Sequence, residues 1–175
     1  MSLVAAFRLG VGLAVGIGTT AAFGKEAVAA VFLISGIAIA ISDWRSRRIP
    51  EAISLPTLLA LAAGSFLVNG TVDGAIIIGW SLGVTLGFAA TFVAATAIAG
   101  EEALGFGDVV VVALVSLTVT ILRGSPVHAI VAILFGSVVG VVIESILGRR
   151  RNIPYGTWLV AGALPFVLPA FLSAR

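Results

Sequence analysis

Residues 41–50 read Ile41-Ser42-Asp43-Trp44-Arg45-Ser46-Arg47-Arg48-Ile49-Pro50, and they interrupt two long apolar stretches. An apolar helix that runs into Arg45, Arg47 and Arg48 has reached water. Pro50 fits the first turn of the helix that follows, since proline is tolerated there and breaks a helix interior. Asp43 sits at the border itself. A carboxylate between hydrocarbon and water is costly unless it is paired, hydrated or used, so it marks a functional site by default. Gly105-Phe106-Gly107-Asp108 places a second carboxylate at a second border of this kind, just before the apolar run 109–122.

The rest of the chain is mostly hydrocarbon. Of 175 residues, 60% are apolar and 10% charged, with a mean hydropathy of +1.22. Soluble domains carry about 25% charged residues, so this composition belongs to a polytopic membrane protein. The absence of cysteine excludes disulfides, Cys-based zinc sites and thiol catalysis. The single histidine, His128, follows Pro126 at the start of an apolar run and reads as interfacial. One histidine without clustered partners makes no metal site. The basic balance comes from arginines in loops, which points to membrane orientation and anionic lipid and away from nucleic acid.

A membrane-spanning helix needs about 20 mostly apolar residues. Seven stretches approach that length, near 3–23, 27–43, 51–68, 72–99, 108–122, 126–147 and 154–172. The fold expected is therefore an all-α polytopic membrane helix bundle. The fifth stretch is short and the fourth long enough to tilt or to end in an interfacial turn. The first has Arg8, an apolar run and small residues at 19–22, as a secretory signal does. The next stretch begins directly after Lys25-Glu26, which favours a retained helical hairpin. No linker is long enough to separate domains, so residues 1–175 are read as one integral membrane domain.

Basic residues set the orientation. If the loops at 43–51, 100–107 and 148–153 share a side with the N-terminus, that side receives Arg8, Arg45, Arg47, Arg48 and Arg149–Arg151. The other side receives Lys25, Arg123 and Arg175. The positive-inside rule makes the first side cytoplasmic, and both Asp43 and Asp108 fall on it. Glycines at four-residue spacing (Gly12/Gly16, Gly79/Gly83/Gly87, Gly136/Gly140) provide small faces for close helix packing. Glu144, one turn before Gly148 and the arginines at 149–151, is expected to snorkel or to pair with arginine.

Each aspartate alone has an ordinary explanation. Asp43 can pair with Arg47 at i,i+4, and Asp108 can cap a helix after a glycine turn. Together they are more specific. Two apolar stretches separate them, and an even number of crossings returns the chain to the same face. The carboxylates can therefore meet on adjacent helices.

In this arrangement the chain resembles the type IV prepilin peptidases, a family of membrane aspartic proteases that includes the preflagellin peptidases. Asp43 with its arginines and Ile49-Pro50 is similar to the family's first aspartate motif. Glu102-Ala103-Leu104-Gly105-Phe106-Gly107-Asp108-Val109 is similar to its Gly-x-Gly-Asp motif, and Asn152-Ile153-Pro154-Tyr155-Gly156 with Ala161-Gly162-Ala163 to the start of its last helix. Two positions depart from the pattern. Glu51 stands where the family often has Asn, and Val110 where it often has Lys. Neither departure removes a carboxylate.

The resemblance implies a six-helix protease core, with the stretch near 3–23 as an extra N-terminal transmembrane helix. Larger family members add a cysteine-bearing region linked with N-methylation of the product, and no such region is expected here. The implied catalytic residues are Asp43 and Asp108, with Gly105, Phe106 and Gly107 as the active-site loop. Two neighbouring carboxyls tend to share one proton. One can then accept a proton from water while the other donates to the substrate carbonyl. Which of them begins protonated stays open, because a coupled titration belongs to the pair. No metal or organic cofactor is required. The implied partner is a membrane-tethered, prepilin-like precursor with a short basic leader, and Glu51, Glu101 and Glu102 are candidates to receive that leader.

Two other classes compete. A small proton- or cation-coupled transporter would place carboxylates at mid-membrane among broken helices, whereas here they fall at helix ends on one face. A non-catalytic pilus-assembly homologue would be expected to have lost an aspartate, and neither is lost. A presenilin-like protease also uses Gly-x-Gly-Asp, but its Tyr-Asp partner motif is absent.

Overall fold

The computed structural model describes residues 24–99, 105–148 and 154–173. The expected helix near 3–23, the pair Gly12/Gly16, Glu101, Glu102 and Arg149–Arg151 lie outside the described residues. All regular structure among the described residues is helical. In chain order it comprises α1 (Lys25–Ser46), α2 (Glu51–Ala99), α3 (Phe106–Arg123), α4 (Pro126–Ile146) and α5 (Tyr155–Leu172). Each is long and apolar enough to cross a membrane.

α2 is two rods. Gly70 adopts φ 80° and ψ 174°, which interrupts the helix and which a side chain would resist. The arms fold back on each other there. A Cβ on Gly74 would meet the Phe66 backbone at 2.9 Å, and Ser65 Oγ donates to Gly74 O at 3.4 Å. The expected stretches 51–68 and 72–99 thus correspond to the two arms of one interrupted helix, α2.

The short fifth stretch is the centre of the bundle. α3 contacts every other described helix, and Val111, Val112, Val115, Ser116, Thr118, Val119, Thr120 and Ile121 are fully enclosed. A helix apolar all round belongs in such a position. Its 18 residues make a rod of about 27 Å; a helix shielded by neighbours need not satisfy lipid along its whole length. The outer surface carries exposed apolar side chains such as Ile34, Val72, Leu86, Val93 and Ile146, as lipid contact requires. Thr57 donates to Ile53 O at 2.7 Å and Thr85 to Ser81 O at 2.8 Å within their own helices, which satisfies these two hydroxyls without water, whereas Thr118 and Thr120 Oγ1 have no hydrogen-bond partner among the described residues.

Small residues close one interface and leave another open. On α4, Gly136 and Gly140 face Trp158 of α5, and Gly162 of α5 lies against Ala132 and Gly136. At each of these positions a Cβ would collide with the partner helix. Among the described residues, nothing lies within 4 Å of a Cβ position at Gly79, Gly83 and Gly87. They line an open apolar groove of about 590 Å³ between the second arm of α2 and α4.

Candidate active site

The helix directions bring three chain segments to one end of the bundle: the 46–51 connection, the start of α3 and the start of α5. The connection is a tight turn. Arg47 takes a left-handed conformation at φ 54°, and its N–H donates to Asp43 O at 2.9 Å. Ser42 Oγ donates to Arg48 O at 2.9 Å across the turn. Ile49 is then directed inward. A Cβ on Gly107 would lie 2.8 Å from Ile49 Cβ, and one on Gly156 would lie 3.0 Å from Ile49 Cδ1. Glycine at 107 is therefore required by close approach, and at 156 the contact is tight: Ile49 is wedged between the starts of α3 and α5.

Asp43 is buried, with 5% of its surface exposed, one turn before the end of α1. Its partner is remote in sequence. Thr157 N–H donates to Asp43 Oδ2 at 3.0 Å, and Thr157 Oγ1 donates to the same oxygen at 3.3 Å. The same hydroxyl donates to Ala40 O at 3.1 Å, so its single hydrogen is shared between the two oxygens. A Cβ on Gly156 would stand 3.1 Å from Asp43 Oδ2, so a larger residue there would press on the carboxylate. The i,i+4 pairing of Asp43 with Arg47 is not found. The Arg47 guanidinium lies 5.9 Å from the centre of the Trp44 ring.

Asp108 is half-buried and is the third residue of α3; Gly105 is the capping residue. Its Oδ2 accepts from Gly105 N–H at 3.0 Å, and its own N–H donates to Gly105 O at 3.1 Å. The carboxylate thus reaches back to the helix start, as the acid of a capping box does. This corrects the expectation of a simple cap, because Asp108 lies inside the first turn.

The two carboxylates line one cleft of about 340 Å³, together with Arg47, Arg48, Ile49, Glu51, Gly105 and Gly107, and their charges interact. Glu51, the first residue of α2, is exposed at its rim. Phe106 is 67% exposed and stands outside the cleft lining. Tyr155 lies within electrostatic reach of Asp108 and packs edge-on against Phe92, with ring centres 6.3 Å apart. The cleft is smaller than the apolar groove, but the groove's lining offers no acid, base or charge, so the cleft is the candidate site. Among the described residues no cluster of His, Asp and Glu suits a metal ion.

Sequence reasoning missed Thr157 and Ile49. The signal for Ile49 is the pair of glycines at 107 and 156 that make room for it. Glu144 requires a correction. It does not snorkel: it is fully buried and accepts from Trp158 Nε1 at 3.3 Å. Its place is set by spacing, because positions 136, 140 and 144 form one stripe of α4, and that stripe faces α5.

The family profile described as the type IV leader peptidase family matches residues 30–143, a span that includes both aspartates. Neither a curated protein nor a solved structure matches the chain.

Proposed function

The chain belongs to the type IV leader peptidase family, and from that membership we propose that it is an aspartic endopeptidase in which Asp43 and Asp108 activate water. The observation that carries this reading is the shared cleft lined by both carboxylates. A water between them loses a proton to the ionised carboxyl and attacks the peptide carbonyl. The protonated carboxyl donates to the carbonyl oxygen. Collapse of the tetrahedral intermediate returns a proton to the leaving nitrogen and breaks the C–N bond. Thr157 holds Oδ2 of Asp43, and the first turn of α3 holds Oδ2 of Asp108, so both carboxyls are oriented before substrate arrives.

The proposed substrate is a membrane-tethered, prepilin-like precursor whose basic leader lies in the cytoplasm. Its apolar helix remains in lipid while the cleavage point sits at the membrane boundary, the depth at which helix-end carboxylates stand. Glu51 at the rim offers the leader a negative charge. The break at Gly70 lies at the opposite end of the bundle, so the carboxylates are not surrounded by the broken helices of a transporter.

The deciding experiment co-expresses the chain with candidate prepilin-like precursors and reads leader loss by mass. Asp43→Asn and Asp108→Asn should each abolish it; processing by either variant at the wild-type rate would end the dyad reading. Orientation is tested separately. The chain has no cysteine, so a cysteine at Ser46 should react with a membrane-impermeant reagent only after lysis, and one at Thr71 in intact cells. The opposite pattern would put the cleft on the wrong side for a cytoplasmic leader.

A further inference from the structure

Glu144 is a carboxylate with no exposed surface and no use in the mechanism above. Its Oε1 accepts from the Trp158 indole N–H at 3.3 Å, and its Oε2 has no hydrogen-bond partner among the described residues. Burying a carboxyl with half its acceptor capacity unused is unfavourable by itself. Leucine would fill the same space on an α4 that is otherwise apolar or small along this stripe. The group therefore needs a reason to be there, and its partner among the described residues supplies one.

Trp158 follows Thr157, the residue that donates twice to Asp43. These two residues of the first turn of α5 reach in different directions, Thr157 to α1 and Trp158 to α4. Trp158 is confined at three places. Its ring lies against Gly140, where a Cβ would come within 2.6 Å of Cγ; its carbonyl lies against Gly136; and its N–H is held by Glu144. The two glycines limit how close α5 comes, but contact with a glycine face leaves the indole free to slide. A hydrogen bond is directional, so the one to Glu144 fixes the rotation of the turn about the α5 axis. That rotation decides whether Thr157 N–H and Oγ1 both point at Asp43 Oδ2.

We propose that Glu144 is a positioning residue for the peptidase reaction, acting through the Trp158 indole and Thr157 on the carboxylate of Asp43. The proposal rests on the dyad reading. It separates from a general packing role in one respect: the effect must pass through Thr157 and must fall on turnover.

The test measures kcat and KM for precursor cleavage by the purified, full chain. Glu144→Leu and Trp158→Phe should each lower kcat roughly tenfold, the size expected from losing the alignment of about one buried hydrogen bond, with KM unchanged. Glu144→Gln keeps an oxygen acceptor for the indole and should retain wild-type kcat. Thr157→Val alone should lower kcat similarly, and adding Glu144→Leu to it should lower kcat no further, because coupled residues are non-additive. If Glu144→Leu does not accumulate in membranes, Trp158→Phe combined with Thr157→Val decides in the same way. Unchanged kcat in Trp158→Phe and Glu144→Leu, or losses that add to that of Thr157→Val, would overturn the proposal. Asp43→Asn and Asp108→Asn run in the same assay keep the two readings apart. Cleavage surviving in those variants sinks the dyad, whereas its loss there with full activity in Trp158→Phe and Glu144→Leu sinks only the role of Glu144.

Discussion

Asp43 and Asp108 face one cleft but are held there differently. Asp43 is buried, and its hydrogen-bonding partner Thr157 stands 114 residues away on another helix. Asp108 is half-buried, and its partner Gly105 is three residues away in the same turn. One carboxyl is oriented by the packing of α1 against α5, the other by the local geometry of a helix start. Damage to helix packing should therefore reach the chemistry through Asp43, and damage to the glycine turn through Asp108.

The sharpest way to break this comparison is to remove each acid function. Asp43→Asn and Asp108→Asn should both reduce leader cleavage by roughly 10²–10⁴-fold, the usual scale of acid–base catalysis, with the protein still present in membranes. Equal losses from unequally held residues would show that the chemistry needs both. A large difference between them would assign the work to one.

The next effect is steric. Gly107→Val would force Ile49 aside, since even a Cβ would stand 2.8 Å from Ile49 Cβ, and overpacking of this kind costs about 1–3 kcal/mol. The midpoint of thermal unfolding in detergent should fall, and Ile49→Ala in the same chain should restore part of it. Absence of that rescue would mean that the wedge of Ile49 does not join the two halves of the site.

Thr157→Val is expected to be milder. It removes the hydroxyl hydrogen bond shared by Ala40 O and Asp43 and leaves the N–H bond, so stability should change by about 1 kcal/mol. Thr157→Ser should behave as wild type in the same melt, because it keeps the hydroxyl. The smallest effect belongs to Gly105→Ala. Gly105 has φ −87° and ψ 161°, open to any residue, and among the described residues the one neighbour of an added Cβ is Asp108 Oδ2 at 3.7 Å. Its melting temperature should match wild type. The two glycines of Gly105-Phe106-Gly107-Asp108 would then differ in kind, with 107 needed for space and 105 for its N–H.

The amino-acid sequence by itself determined the class of fold, the approximate limits of the described helices and the shared end of the two aspartates. Those features follow from hydrophobic length, from charge in short turns and from counting crossings, all of which are local or additive along the chain. The Gly-x-Gly-Asp turn was readable for the same reason, since Gly105 and Asp108 complete each other within one turn. Only the tertiary structure decided what touches Asp43, why Gly107 must be small, and where Glu144 points. Nothing near Asp43 in sequence names Thr157, because that contact forms when α1 and α5 pack side by side. Glu144 misled in the same way. Its nearness to arginines in sequence suggested snorkelling, while its place on the stripe of Gly136 and Gly140 turned it towards Trp158. In a helix bundle, sequence periodicity settles which residues share a face, and packing settles which helix that face meets.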